Sequence, residues 1–249
     1  MKTALRFMTA ILIVAAAAAS AVAQGPMPPP HAGQFPSLER SQNWGKCSSP
    51  DCSGGVGSVY NYYVAPFQTS PSLSGSSAMF VIDGPKYTDD LFGTQVTLNP
   101  SFANFIEDFW VMTDDATPNH AEALEFDVVQ VTGGRKYNWS SECNYATHTW
   151  DTWNEVTQRW VHSNAQCQPF TPNTWHHIKW NLERVGAQTH YLSITVDGNT
   201  QNIADAYGYQ PAPATNWTNG AIIWQVQQDL NANGGSFKEW VDHAILYAW

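Results

Sequence analysis

Glu125 and Asp127 are separated by one residue in the run Leu124-Glu125-Phe126-Asp127-Val128. A β-strand turns alternate side chains to opposite faces, so on a strand both carboxyls project from one face, roughly 6.7 Å apart along the backbone. Leu124, Phe126 and Val128 then take the other face as core. Two acids held so close raise each other's pKa values, which is useful in a catalytic carboxylate pair and otherwise a cost to be offset by solvent or hydrogen bonds. A second polar row lies further on, where Gln225, Gln227 and Asp229 share one face of the run Trp224-Gln225-Val226-Gln227-Gln228-Asp229. Amides and carboxyls spaced in this way suit a ligand rich in hydroxyl groups.

Aromatic side chains supply the other half of such chemistry, because a Trp presents a broad apolar face with one N–H donor. Trp110, His120, Trp139, His148, Trp150 and Trp153 are the candidate ligand contacts, several of them in the excursion between Cys143 and Cys167. Trp175, Trp180, Trp224 and Trp240, embedded in alternating runs, read as core. His120, His176 and His177 do not make a metal set, since adjacent histidines on a strand point to opposite faces. No metal site and no cofactor is indicated; a structural Ca2+ is compatible with the chain without being signalled by it.

The elements that must position these residues are strands. Short runs rich in Val, Ile, Tyr, Trp and Thr recur between Gly, Pro, Asn and Asp clusters, the pattern of a many-stranded antiparallel sandwich. The spacing predicts strands over 58–65, 77–82, 104–113, 123–131, 174–182, 191–196, 221–228 and 239–247. Asp197-Gly198-Asn199 reads as the turn of a hairpin, because Gly tolerates positive φ. No long helix and no internal repeat is evident.

Ahead of this region, Lys2 and Arg6 precede an apolar run from Phe7 to Ala19, which reads as an export signal over 1–23 with a small-residue cleavage site at Ala21-Val22-Ala23. The Pro-rich and Ala-rich stretch over 24–43 reads as a disordered leader, and 44–249 as one β-sandwich domain. The expected location is therefore outside the cytoplasm, extracellular or periplasmic. Four cysteines in such a compartment form two disulfides with three pairings formally possible; the local pairing Cys47 with Cys52 leaves Cys143 with Cys167.

The net charge of −10 argues against nucleic acid or an anionic membrane as partner, and loss of Lys2 and Arg6 makes the chain more acidic still. Only 13% of residues are charged while 13% are aromatic, which favours a neutral, hydroxyl-rich partner such as a polysaccharide or oligosaccharide. A monomer is expected.

The acid-bearing run resembles the catalytic strand of retaining β-glucanases, the laminarinases and lichenases of the concanavalin A-like lectin/glucanase superfamily, whose motif is Glu-x-Asp-x-(x)-Glu. Three further segments resemble that family in order: Trp175-His176-His177-Ile178-Lys179-Trp180 with Ile194-Thr195-Val196-Asp197-Gly198, then Asp229-Leu230-Asn231-Ala232-Asn233-Gly234-Gly235, then Trp240 to Tyr247. The resemblance spans roughly residues 104 to 249. It implies an antiparallel jelly roll, with Glu125 at the nucleophile position and Asp127 as the acid that tunes it. The second Glu, the general acid/base, falls at 129 in a regular strand or at 130 if a bulge returns that residue to the cleft. This chain has Val129 and Gln130, and neither delivers a proton. With Gln130 in the cleft, the resemblance implies a glycan-binding protein that has lost hydrolysis; an active retaining glycanase with a relocated acid (Glu122, Glu142, Asp151 or Asp229) is the alternative, and a structural or adhesive surface protein a third.

Overall fold

The computed structural model describes residues 25–51 and 54–249. Alternation of apolar and polar residues produces the strands β1 (Gly33–Pro36), β2 (Gly45–Ser48), β3 (Asn61–Gln68), β4 (Ser77–Gly84), β5 (Asp89–Thr97), β6 (Asn104–Thr113), β7 (Ala121–Thr132) and β8 (Arg135–Asn144). They continue as β9 (Thr149–Asn154), β10 (Arg159–Gln166), β11 (His176–Val185), β12 (Gln188–Val196), β13 (Asn199–Asn202), β14 (Tyr209–Pro211), β15 (Ala221–Leu230) and β16 (Gly235–Ala248). In β15 the alternation is complete: Ile222, Trp224, Val226, Gln228 and Leu230 are buried and the residues between them are not. Helix is confined to one 3-10 turn and two four-residue helices among the described residues.

The strands form two antiparallel sheets, so the chain is an all-β sandwich. The larger sheet runs β13-β12-β11-β6-β16-β4-β3, with β1 added on β16 and β14 on β12. The smaller runs β10-β9-β8-β7-β15-β5-β2. Between them lies an aromatic core in which Phe109 meets Phe126 with ring centroids 4.5 Å apart, Phe105 meets Trp139 at 5.1 Å and Trp150 meets Trp180 at 5.6 Å. Such offset and edge contacts add to the area that large rings remove from water.

All eight strands expected from the sequence are present, β6 with the expected ends and the others with at least one end shifted, and the Asp197-Gly198 turn joins β12 to β13 with both residues at positive φ. The hairpin between β7 and β8 turns at Gly133 and Gly134, whose φ values of 57° and 70° match the right-handed twist of the paired strands. That turn pairs Thr132 with Arg135 and so sets the register of every pair below it.

One boundary differs from the sequence reading. The segment taken as a disordered leader contributes β1, which pairs with Ile245 to Ala248 of β16. Phe35 packs edge-on against Phe102, Leu38 is buried, and Glu39 accepts the Ala244 N–H at 3.0 Å where β16 bulges. Two apolar anchors and one backbone cap hold a stretch whose composition alone argues for disorder. Cys143 and Cys167 form a disulfide, Cα to Cα 5.6 Å. Cys47 is also disulfide-bonded; its expected partner Cys52 and the export signal over 1–23 lie outside the described residues. Among the described residues no helix is long and apolar enough to cross a membrane.

Candidate functional site

The outer face of the smaller sheet carries an open groove of about 1160 Å3. That exceeds the roughly 300–1,000 Å3 that suits one small ligand, so the space fits a chain of units better than a single one. Strand direction builds its floor. In β7, Leu124, Phe126 and Val128 enter the core while Glu125, Asp127 and Val129 line the groove. In β8, Lys136, Asn138, Ser140, Glu142 and Asn144 do the same, and in β15 Ile223, Gln225, Gln227 and Asp229.

Register then aligns these residues across strands. Leu91, Gln227, Glu125, Glu142, Asp151 and His162 form one continuous row, each opposite the next. The adjacent row toward the Gly133-Gly134 turn holds Gly93, Gln225, Asp127 and Ser140. Glu125, Asp127 and Glu142 are 4%, 2% and 3% exposed; one oxygen of Glu125 and one of Asp127 are buried with no hydrogen-bond partner. Glu125, Glu142 and Asp229 each place a carboxylate oxygen within 4.8 Å of the others, the one such grouping with metal-ligating spacing among the described residues.

Burial, reinforced by the Asp127, Asp229 and Glu142 charges, pushes the Glu125 carboxyl well above the usual range. Glu142 rises through burial and then Asp229 and Asp151; Asp229 rises through burial and then Asp89. Asp127 is pushed up to about 7 by burial, although Glu125, as a hydrogen-bond donor to it, works the other way. The dyad therefore shares protons near neutral pH instead of carrying two full charges. Counter-charge is sparse. Lys136 is committed to Glu155 at 2.9 Å, and His162 Nδ1 to Asp151 at 2.7 Å. Burial opposes ionisation of Glu155, yet Lys136, Asn138 and Trp153 hold its carboxyl below the usual range.

The aromatic side of the groove is Trp153 with Trp160, paired across β9 and β10 with ring centroids 5.1 Å apart. Trp153 is fixed by its Nε1 donating to Glu155 at 2.8 Å. Trp217, 55% exposed, stands at another edge.

The structure therefore gathers Glu122, Glu125, Asp127, Glu142, Trp153, Gln225, Gln227 and Asp229 around one groove and leaves Trp110, His120, Gln130, Trp139, His148 and Trp150 out of its lining. No bulge returns Gln130 to the cleft. The β7 and β8 register is unbroken, Gln130 is fully buried, and its Nε2 donates to the Pro100 and Phe102 carbonyls at 2.9 and 2.7 Å. Val129 occupies the groove instead. Trp139 and Trp150 are fully buried core, because they share strand faces with Tyr137 and with the disulfide-bonded Cys143. Trp110 faces outward on the larger sheet, stacked on His177 at 4.7 Å. His120 bonds the Gly234 carbonyl through Nδ1 at 2.5 Å, and His148 sits exposed in the β8 to β9 turn at a φ of 59°. Asn138, Ser140 and Asn144 were not singled out; their signal was the alternation of polar residues with Tyr137, Trp139 and Cys143.

No family model matches the chain, and no curated protein matches it in sequence. Solved structures similar to it include one of carbohydrate-binding modules from the beta-sandwich super family, 8% identical at a TM-score of 0.43, covering 84% of this chain and 57% of that one. The carbohydrate esterase vb_24B_21 from the Shiga toxin-encoding bacteriophage phi24B is 10% identical at a TM-score of 0.48, covering 83% and 90%. The family 11 carbohydrate-binding module from Clostridium thermocellum, in complex with a β-1,3-1,4-mixed-linked tetrasaccharide, is 13% identical at 0.40, covering 86% and 95%. The functional reading rests on the groove itself.

Proposed function

We propose that this is an exported glycan-binding protein whose groove takes a polysaccharide. The observation that carries the reading is the pairing, in one open groove, of the Trp153 and Trp160 side with a floor of alternating amides and acids: Asn138, Asn144, Gln225 and Gln227 beside Glu125, Asp127 and Asp229. Sugar rings offer an apolar C–H face and a rim of hydroxyls, and those two surfaces match the two sides of this groove. The apolar run after Lys2 and Arg6, together with a Cys143 to Cys167 disulfide, supports export to an oxidising compartment. The test is a glycan array probed with the mature protein, followed by affinity electrophoresis through gels containing the polysaccharides that score. Retention is expected, weakened by Trp153→Ala; no binding on the array would leave a scaffold or adhesive role instead.

A second reading is favoured by one distance. One carboxylate oxygen of Glu142 and one of Asp229 lie within 4.8 Å of a Glu125 oxygen, near enough to form a carboxyl pair of the kind that retaining glycosidases hold roughly 5–5.5 Å apart. Glu142, its carboxyl raised well above the usual range by burial and by neighbouring acids, is then the candidate to supply the proton that Val129 cannot. Sustained release of reducing ends from β-1,3- or β-1,4-glucan, abolished by Glu125→Gln, would establish hydrolysis.

A further inference from the structure

Three acids crowd the groove floor, and among the described residues none of them is held in an ion pair. Glu142 and Asp229 flank Glu125 from either side, one from β8 and one from β15. Mutual repulsion among oxygens within 4.8 Å of one another is a cost that the register of three strands imposes permanently. Of the bases that line the groove, Lys136 and His162 are already paired with Glu155 and Asp151, and Arg159 is exposed to solvent. Independently of the cluster, one oxygen of Glu125 and one of Asp127, both side chains more than nine-tenths buried, find no hydrogen-bond partner among the described residues beyond the proton that the two carboxyls share. Buried polar atoms without partners are rare and call for a ligand, an ion or water.

We propose that Glu125, Glu142 and Asp229 form a divalent-cation site at the floor of the groove, and that the ion it takes is Ca2+. The donor set is carboxylate oxygen only, which suits the hard ions Ca2+, Mg2+ and Mn2+ and disfavours zinc or copper, whose sites draw on imidazole or thiolate. Among the hard ions, Ca2+ accepts an irregular set of six to eight oxygens, whereas Mg2+ demands near-octahedral geometry. Three side chains on neighbouring strands of a twisted sheet supply an irregular set. Asp127 stands beside the site as a fourth acid on the same groove-facing side of β7 as Glu125. The upper hemisphere of such an ion faces the open groove, where its remaining ligands are waters or oxygens of a bound molecule. If the groove takes a polysaccharide, vicinal hydroxyls or a uronate carboxylate complete the shell; that last step rests on the glycan reading, and the ion site does not.

The experiment uses the whole mature protein stripped with EDTA. Tb3+ is titrated in, and its emission is read with excitation of Trp, since Trp153 and Trp160 border the same groove; competition with Ca2+ and Mg2+ follows. Expected are saturable emission displaced by Ca2+ at lower concentration than by Mg2+, and a rise in melting temperature of about 5 °C or more at a hundredfold excess of Ca2+ over its dissociation constant. Glu142→Gln, and separately Asp229→Asn, should melt at or above the stripped wild type yet lose both the emission and the Ca2+ response. Absence of any Ca2+ response in the wild type, or an undiminished response in both variants, overturns the site. Glycan binding is then measured with Ca2+ and with EDTA. Ca2+ binding without any glycan binding would sink the polysaccharide reading and leave the ion site standing; glycan binding indifferent to EDTA, in protein that binds Ca2+, would remove only the bridging step.

Discussion

Glu125 on β7 lies directly opposite Glu142 on β8, two acids on one face of a sheet where like charges are normally kept apart. Their pairing is fixed eight residue pairs away, at the Gly133-Gly134 turn, because both glycines adopt positive φ. A slip of one residue would carry Leu124 and Phe126 out of the core and the acids into it. The hydrophobic pattern of β7 therefore enforces an electrostatic arrangement that the acids would not choose by themselves.

That arrangement makes stability depend on pH in a definite direction. Glu125, Glu142, Asp229, Asp127 and the core residue Glu107 all have pKa values raised by burial, Asp127 to about 7 and Glu107 to about 8. Carboxyls free in the unfolded chain titrate near 4. Folding thus takes up protons between about pH 4 and 8, so the stability these groups contribute is complete below about pH 4 and is lost as pH climbs through the folded values. Asp108, Glu155 and Asp242, whose values are lowered, act with the opposite sign and only below about pH 4.5. Melting in EDTA should fall steadily from pH 5 to pH 8.5; a flat or rising curve by circular dichroism would contradict these assignments.

A separate buried acid gives a cleaner test of the same physics. Glu239 of β16 is fully buried with neither oxygen bonded, and after burial itself its charge is the next cause that pushes the Asp90 carboxyl up. Burial and Asp229 push Glu239 itself well up. Glu239→Gln removes the titration and keeps the shape, so the variant should gain about 1–2 kcal/mol in urea unfolding at pH 8 and change little at pH 4.5. Loss of stability at pH 8 would mean that the carboxylate has a charged partner.

How much of this was legible beforehand follows from which residues alternate. β7 and β15 could be read because Leu124, Phe126 and Val128, or Trp224 and Val226, mark the inner face unmistakably. β8, β9 and β10 were missed because Asn, Asp, Lys and Ser interrupt them; Asn, Asp and Lys are depleted in strands by propensity and sit here because the outer faces line a wet groove. Trp139 and Trp150 were assigned to the cleft from their polar neighbours, yet in a strand neighbours point the opposite way; the parity of Tyr137, Trp139 and Cys143 already set Trp139 inside. Nothing in the sequence spaced Glu142 against Glu125, since that contact depends on a turn eight residues from either.

The position after Val129 offers a direct check of strand parity. Gln130→Leu should cost about 1–3 kcal/mol, because the Pro100 and Phe102 carbonyls lose their donor, and Gln130→Glu should cost at least as much by placing a charge in the core. Val129→Glu instead adds a carboxyl to the groove beside Asp127, and it should remain folded at pH 5, below the raised pKa of about 7 at Asp127. Urea midpoints for the three variants decide the matter; equal losses for Val129→Glu and Gln130→Glu at pH 5 would mean that β7 does not keep the regular register.

Two tryptophans three residues apart should behave oppositely. Trp150 is fully buried against Trp180 and Phe170, so Trp150→Ala should lose about 3–5 kcal/mol of stability, with any effect on binding following from unfolding. Trp153 lies across the strand, in the groove, its ring against Trp160 and its Nε1 on Glu155. Trp153→Ala should leave the melting transition within a few degrees of wild type while weakening glycan retention tenfold or more, the scale of a loss of about 1.4 kcal/mol or greater. Because the pair separates folding from recognition in one strand, affinity electrophoresis of both variants beside their melting curves tests the groove itself: a Trp153→Ala protein that binds as tightly as wild type would move the sugar contact elsewhere.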